Sequence, residues 1–325
     1  MKTAAVTGPA HRQPASAGFF VVATMLVSAL LLGGCATPQV QRLNQAWPTD
    51  LPAQALLSEV PFFPQEDYEC GPAALATLLQ SAGVAVTPVE LKPQVFLPGR
   101  RGSLQVELMV AARRHGLPAY RIAPTLDALL HEVAAGHPVL VYQNLSLPIY
   151  PIWHYAVVIG FDRQRQVLLL NSGVTQRQEI SLFTFERTWV RGDSWAMVAL
   201  PPSTLPATAD AEAMAAAIAA LERVDAPAAR KAYAAGLQRW PTQPVLLLGA
   251  GNAAYASGDL AAAAAAYRHA VEIQPQAADA WNNLAQVLME QGNKAEARPA
   301  AERAVALGGP RLAGYQALAQ KLNTP

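Results

Sequence analysis

In the second half of the chain one spacing governs what can form: alanine stands at 229, 263 and 297, Tyr233, Tyr267 and Ala301 share a second phase, and Pro241, Pro275 and Gly309 a third, each 34 residues apart. A period that keeps its phase through three copies describes a unit stacked on copies of itself, each burying the face the next presents. Alanine dominates there and β-branched residues are few, so the unit is expected to be helical. Small residues at the alanine positions let paired helices approach closely, and Tyr233 and Tyr267 fill the space between units. Units are expected at 210–243, 244–277 and 278–311, with 312–325 as a capping helix. Gly258 and Gly292 mark the turn inside the second and third copies, whereas the first has Val224 there. Such an array carries no catalytic group and suits the holding of a segment of another protein on its concave face.

The other end of the chain concerns address rather than fold. Lys2 and Arg12 supply positive charge and Gly18 to Leu32 is an uncharged apolar run of 15 residues, the layout of an export signal and short for a membrane span. Leu32-Gly33-Gly34-Cys35 resembles the lipobox of bacterial lipoproteins. The resemblance implies cleavage after residue 34, lipid on Cys35 and, with Ala36 rather than an aspartate following, an outer-membrane protein facing the periplasm. Removing residues 1–34 leaves 22 basic against 23 acidic residues, which gives no basic footprint for nucleic acid. Of the two cysteines, Cys70 then has no partner in the chain, and the core must stand on packing alone.

Composition divides what remains. Residues 35–56, with Pro38, Pro48, Pro52 and several glutamines, are expected to be a tether. Residues 57–201 are mixed and form the first domain, and the proline-rich 202–209 is expected to be a linker to 210–325, so that a chain ending near Pro202 would fold by itself. Within the first domain, helices are expected at 72–82, 103–115 and 125–135, closed by Gly83, Gly116 and Gly136, with a short strand near Tyr120. Apolar runs at 138–143, 155–161, 166–171 and 195–200 read as strands, with 162–165 as a hairpin loop. Helices first and an antiparallel sheet after is an α+β order.

The chemistry lies in that domain. Cys70 opens a helix with Pro72 in its first turn, and the helix dipole favours thiolate there. The thiol is expected to be acidic, with Glu66, Asp67 and Glu69 working against it. Among six histidines, His11 lies in the expected signal, His269 in a repeat, and His115 and His131 on helices where a structural role suffices. His154 opens a strand and is the expected base, with His137, near the start of another, as the alternative.

Three blocks carry a specific likeness: Pro64-Gln65-Glu66-Asp67-Tyr68-Glu69-Cys70-Gly71-Pro72-Ala73-Ala74-Leu75, Trp153-His154-Tyr155-Ala156-Val157-Val158-Ile159-Gly160, and Leu170-Asn171-Ser172-Gly173. Together they resemble the bacteriocin-processing, double-glycine type of papain-like cysteine peptidase and its stand-alone relatives, over roughly residues 58–200. The resemblance implies Cys70 as nucleophile, His154 as base and acid, Gln65 as oxyanion-hole donor and Asn171 in the third place, where the bacteriocin-processing enzymes usually carry aspartate. Asp162 competes for that place, but it ends the strand that His154 begins. The 34-residue period is that of tetratricopeptide repeats, and Trp281-x-x-Leu284-Ala285-x-x-Leu288 with Gly292 and Ala297 resembles their signature.

The expected fold class is therefore an α+β papain-like cysteine peptidase domain followed by an all-α tetratricopeptide-repeat domain. The expected function is amide hydrolysis by a thiol peptidase without metal or other cofactor, anchored to the membrane through lipidated Cys35 and docking a protein substrate or partner on the repeats. Acyl transfer to an amine on the same fold, or a non-catalytic peptide-binding scaffold, are the alternatives.

Overall fold

A computed structural model describes residues 37–65 and 69–324; Cys35 and its expected lipid, and Glu66, Asp67 and Tyr68, lie outside the described residues. The first domain is built on a seven-stranded antiparallel sheet. Its strands are β1 (Gln54–Leu56), β4 (Ala119–Arg121), β5 (Val139–Asn144), β6 (Trp153–Asp162), β7 (Val167–Ser172), β8 (Thr175–Ser181) and β9 (Ala196–Ala199), in the order β4-β9-β5-β6-β7-β8 with β1 on the end of β6. A two-stranded ribbon, β2 (Phe96–Leu97) with β3 (Gly102–Ser103), stands apart from it.

Alternation along β6 sends Tyr155, Val157 and Ile159 into one core and Ala156 and Val158 into the other, so both faces of the sheet are covered. The first core is filled by α2 (Cys70–Ser81), α3 (Pro88–Val95) and α4 (Gln105–Arg114), through Leu75, Leu79, Leu91 and Leu108. The second is filled by α5 (Leu126–Ala134) and α6 (Leu182–Val190), through Leu129, Val133, Phe185 and Trp189. A register shift between Val158 and Gly160 reverses the phase and returns Phe161 to the second core. Gly160 also admits β1, because a Cβ there would lie 2.6 Å from the Ala55 carbonyl oxygen.

The segment expected to be a tether is part of this domain. Helix α1 (Pro38–Gln45) buries Val40 and Leu43, and the buried carboxylate of Glu186 accepts the backbone N–H groups of Gln39 (2.9 Å) and Val40 (2.8 Å). An anion on two otherwise unbonded N–H groups caps the helix that composition alone read as spacer. Val40 and Leu43, spaced for one helical face, were the overlooked signal.

Seven helices follow: α7 (Ala211–Glu222), α8 (Ala226–Arg239), α9 (Pro244–Ala256), α10 (Leu260–Ile273), α11 (Ala278–Glu290), α12 (Lys294–Leu307) and α13 (Leu312–Asn323). Gly258 and Gly292 take left-handed φ of 78° and 79° at the turns between paired helices. Tyr233 and Tyr267 are buried between helices, as their phase in the repeat anticipates. The expected linker is not a free spacer. Ile218, Leu221 and Tyr233 join the core that α5 and α6 build on the sheet, so the first helix pair and the sheet domain share one apolar interior.

Candidate active site

Helix α2 begins at Cys70, whose half-buried side chain enters a cleft of about 920 Å³ also lined by Gln65, Ser103, Tyr142, Trp153 and His154. Two elements therefore deliver the expected nucleophile and base to one cavity: the first residue of a helix and the second residue of strand β6. The close approach of α2 depends on Gly71, because a Cβ there would sit 2.2 Å from Ser103 Oγ on β3. Ser103 is held in turn by its carbonyl, which accepts from the Tyr155 hydroxyl at 3.2 Å. Behind the cleft, Trp153 stacks on Tyr142 (centroids 5.1 Å apart) and Tyr142 leans on Tyr155, so this wall is stiff.

The electrostatics differ from the sequence expectation. Burial pushes the Cys70 thiol above its ordinary pKa, and the backbone N–H groups of Tyr155 and Gly71, which favour thiolate, offset this only in part. The helix N-terminus does not make the thiol acidic, because desolvation outweighs what the local dipoles supply. Of the nearby acids, Glu69 is paired with Lys92. Burial also lowers the pKa of His154. Burial thus works against the charged form of each group.

His154 Nε2 lies 2.9 Å from Ser172 Oγ. Asn171 is buried, but its side chain is engaged elsewhere: Nδ2 donates to the Pro61 carbonyl (3.2 Å) and Oδ1 accepts the Arg177 N–H (3.2 Å). The structure thus assigns the hydrogen bond to the imidazole to Ser172, correcting the expectation for Asn171. Asn171 stands opposite Val157, three residues along β6 from His154. Asp162 accepts from the Arg165 N–H in the β6–β7 hairpin and serves that turn. His137 is tied to Glu132 at 2.7 Å, while His131 meets Asp50 and His115 meets Gln94.

Gln65 reaches the cleft on a segment whose backbone N–H is bonded to the Gly173 carbonyl at 3.1 Å. The β7–β8 turn therefore positions both the imidazole, through Ser172, and the segment bearing Gln65. Gln65 Oε1 and Ser103 Oγ are buried without a hydrogen-bond partner among the described residues. Sequence reasoning missed Ser103 and Ser172. Ser172 lay inside a quoted block, whereas nothing local to Ser103 signals it.

The profile of the Peptidase_C39 like family matches residues 57–196, and that of the tetratricopeptide repeat matches residues 248–311. An uncharacterized protein of Methanothermobacter thermautotrophicus is 31% identical over 129 residues, which span 39% of this chain and 82% of that relative. Among solved structures, a C39-like protein from Bacillus anthracis is similar at 21% identity and a TM-score of 0.39, covering 46% of this chain and 98% of its own. A double glycine motif protease from an AMS/PCAT transporter, solved with its leader peptide, is similar at 21% identity and a TM-score of 0.34, with the same coverages. The Sgt2 tetratricopeptide domain of Aspergillus fumigatus is similar at 22% identity and a TM-score of 0.31, covering 34% of this chain and 78% of its own. The chain belongs to the Peptidase_C39 like family through residues 57–196 and carries tetratricopeptide repeats behind that domain.

Proposed function

We propose that this chain is a cysteine peptidase of the cell envelope, anchored through lipidated Cys35 in the outer membrane, with the repeats docking a protein substrate or partner. The observation that carries the catalytic part is the convergence of Cys70, His154 and Gln65 on one cleft. The Cys70 sulfur attacks the amide carbonyl, forming the C–S bond while its proton passes to His154. The carbon–nitrogen bond then breaks as His154 returns that proton to the leaving amine, and water hydrolyses the thioester. Gln65 and the backbone N–H of Cys70 stabilise the oxyanion. Ser172 holds Nε2 and so leaves Nδ1 to exchange the proton.

The competing reading is a scaffold that binds peptides without cleaving them. Incubating the purified chain with a peptide library separates the two. Turnover that vanishes in Cys70→Ala and nearly vanishes in His154→Ala is expected, and retained hydrolysis in Cys70→Ala would end the peptidase reading. Comparing protein N-termini in envelope fractions carrying wild-type or Cys70→Ala protein then identifies the substrate.

A further inference from the structure

Exposed large apolar side chains cluster in the β5–β6 loop, Leu145-Ser-Leu-Pro-Ile-Tyr-Pro-Ile-Trp153, at the mouth of the cleft. Leu147 is 60% exposed, Ile149 and Tyr150 are each 75% exposed, and Ile152 is 59% exposed. No charged residue interrupts the run. Large apolar side chains concentrated in one loop mark a contact surface.

The loop is built to present them. Asn144 Oδ1 accepts the N–H groups of Ser146 and Ile152, each at 3.0 Å, while Leu145 N–H bonds the Ile152 carbonyl and Tyr150 N–H the Leu147 carbonyl. Arg191 closes the neck on the Asn144 carbonyl. Pro148 and Pro151 have no N–H to satisfy. Most of the loop's backbone donors are thus already bonded or absent.

We propose that this loop inserts into the interfacial region of a lipid bilayer and seats the mouth of the cleft on the membrane surface. A lipid phase offers no partners to backbone groups, so a surface entering it must satisfy them internally, as most of this loop's donors are. Tyr150 and Trp153 are of the type that settles at headgroup level. Arg100 and Arg101, exposed residues lining the same cleft, suit anionic headgroups. The inference stands apart from the peptidase reading and from the lipid on Cys35. It adds a second attachment that fixes orientation, which one acyl anchor does not.

The test uses a chain beginning at Ala36, which keeps every described residue and cannot be lipidated at Cys35. It is sedimented with vesicles of phosphatidylethanolamine and phosphatidylglycerol, and with vesicles of phosphatidylcholine alone. Binding to the first and weaker binding to the second are expected. The double variant Ile149→Asp, Tyr150→Asp should lower partitioning by roughly 100-fold, as loss of two buried apolar side chains requires. Iodoacetamide labelling of Cys70 in the variant should match wild type and report an intact domain. Failure of the unlipidated chain to sediment, or equal sedimentation of the variant, overturns the proposal. A variant that sediments like wild type but no longer binds or cleaves peptide assigns the loop to substrate instead.

Discussion

The carboxylate of Glu132 on α5 accepts the backbone N–H of Thr208 at 2.8 Å, across the boundary between the sheet domain and the repeats. The same buried group also accepts from the Thr208 hydroxyl (2.6 Å), the Ala207 N–H (3.1 Å) and His137 Nδ1 (2.7 Å). Arg239 of α8 binds the Pro206 and Ala207 carbonyls from the other side. The proline-rich segment is therefore fastened at both its donors and its acceptors, and the array is held in a fixed attitude to the cleft.

Replacing Glu132 by alanine should strip these donors of their acceptor at a buried position. A loss of about 3–5 kcal/mol is expected, measured by denaturant unfolding, and Glu132→Gln should lose less. Burial works against the anion, but the bonds from His137 and Thr208 prevail and hold its pKa below the ordinary carboxylate value. A depressed folded pKa gives stability that is present above the unfolded value of 4.5 and lost as pH falls through the folded one. The difference between wild type and Glu132→Gln should accordingly narrow as pH falls below 4.5. For the same reason a chain ending near Pro202 should be less stable than the full chain.

The thiol supplies a second test. With the Cys70 pKa raised by burial, alkylation by iodoacetamide should climb with pH to a midpoint above 9.0, without the plateau between pH 4 and 8 that a thiolate–imidazolium pair gives. His154→Ala should leave this profile nearly unchanged, since burial sets it. Peptide turnover needs one proton shared by the pair, and the lowered His154 pKa should carry its acid limb below 6.5. A flat alkylation profile at low pH would show an ion pair in the free protein.

Gly71 predicts its own suppressor. Gly71→Ala places a methyl group 2.2 Å from Ser103 Oγ and 2.6 Å from Ser103 Cβ, so either α2 or the β2–β3 ribbon must shift. A stability loss of about 1–3 kcal/mol is expected, with slower labelling of Cys70. Ser103→Gly removes the opposing atoms and should restore both in the double variant. Unchanged labelling in Gly71→Ala alone would mean that the ribbon yields freely.

What the sequence disclosed and what it hid follow one division. The turns at Gly83, Gly116 and Gly136 were legible because each closes a helix with a positive φ of 86°, 77° and 89°. The places of Cys70 and His154 beside one cleft were legible because a helix start and a strand start leave local marks. Helix α3 was announced by Thr87, Pro88 and Glu90, a complete capping box, and was overlooked. Strand β8, whose residues are almost all exposed, lacks the apolar alternation by which strands are read. Contacts between distant segments, Glu186 to Val40 or Gly71 to Ser103, have no local signature at all. The pKa of Cys70 belongs to this class, since burial is a property of the assembled fold.

Ser172 and Asn171 are neighbours with opposite predicted consequences. Ser172→Ala removes one neutral hydrogen bond from the imidazole and leaves the fold intact, so turnover should fall on the order of 5–10-fold, the equivalent of ~1 kcal/mol. Its unfolding midpoint should match wild type. Asn171→Ala instead leaves the Pro61 carbonyl and the Arg177 N–H without partners at a part-buried site and should cost about 1 kcal/mol of stability. Asn171→Asp should be no better, because an oxygen replaces the Nδ2 donor and faces the Pro61 carbonyl, acceptor against acceptor. If Asn171→Asp raises kcat while Ser172→Ala changes nothing, Asn171 reaches the imidazole during turnover and the resting contact with Ser172 is incidental. If Ser172→Ala lowers kcat with KM and unfolding midpoint unchanged, Ser172 positions the base, and Asn171 acts by holding the β7–β8 turn against the segment that carries Gln65.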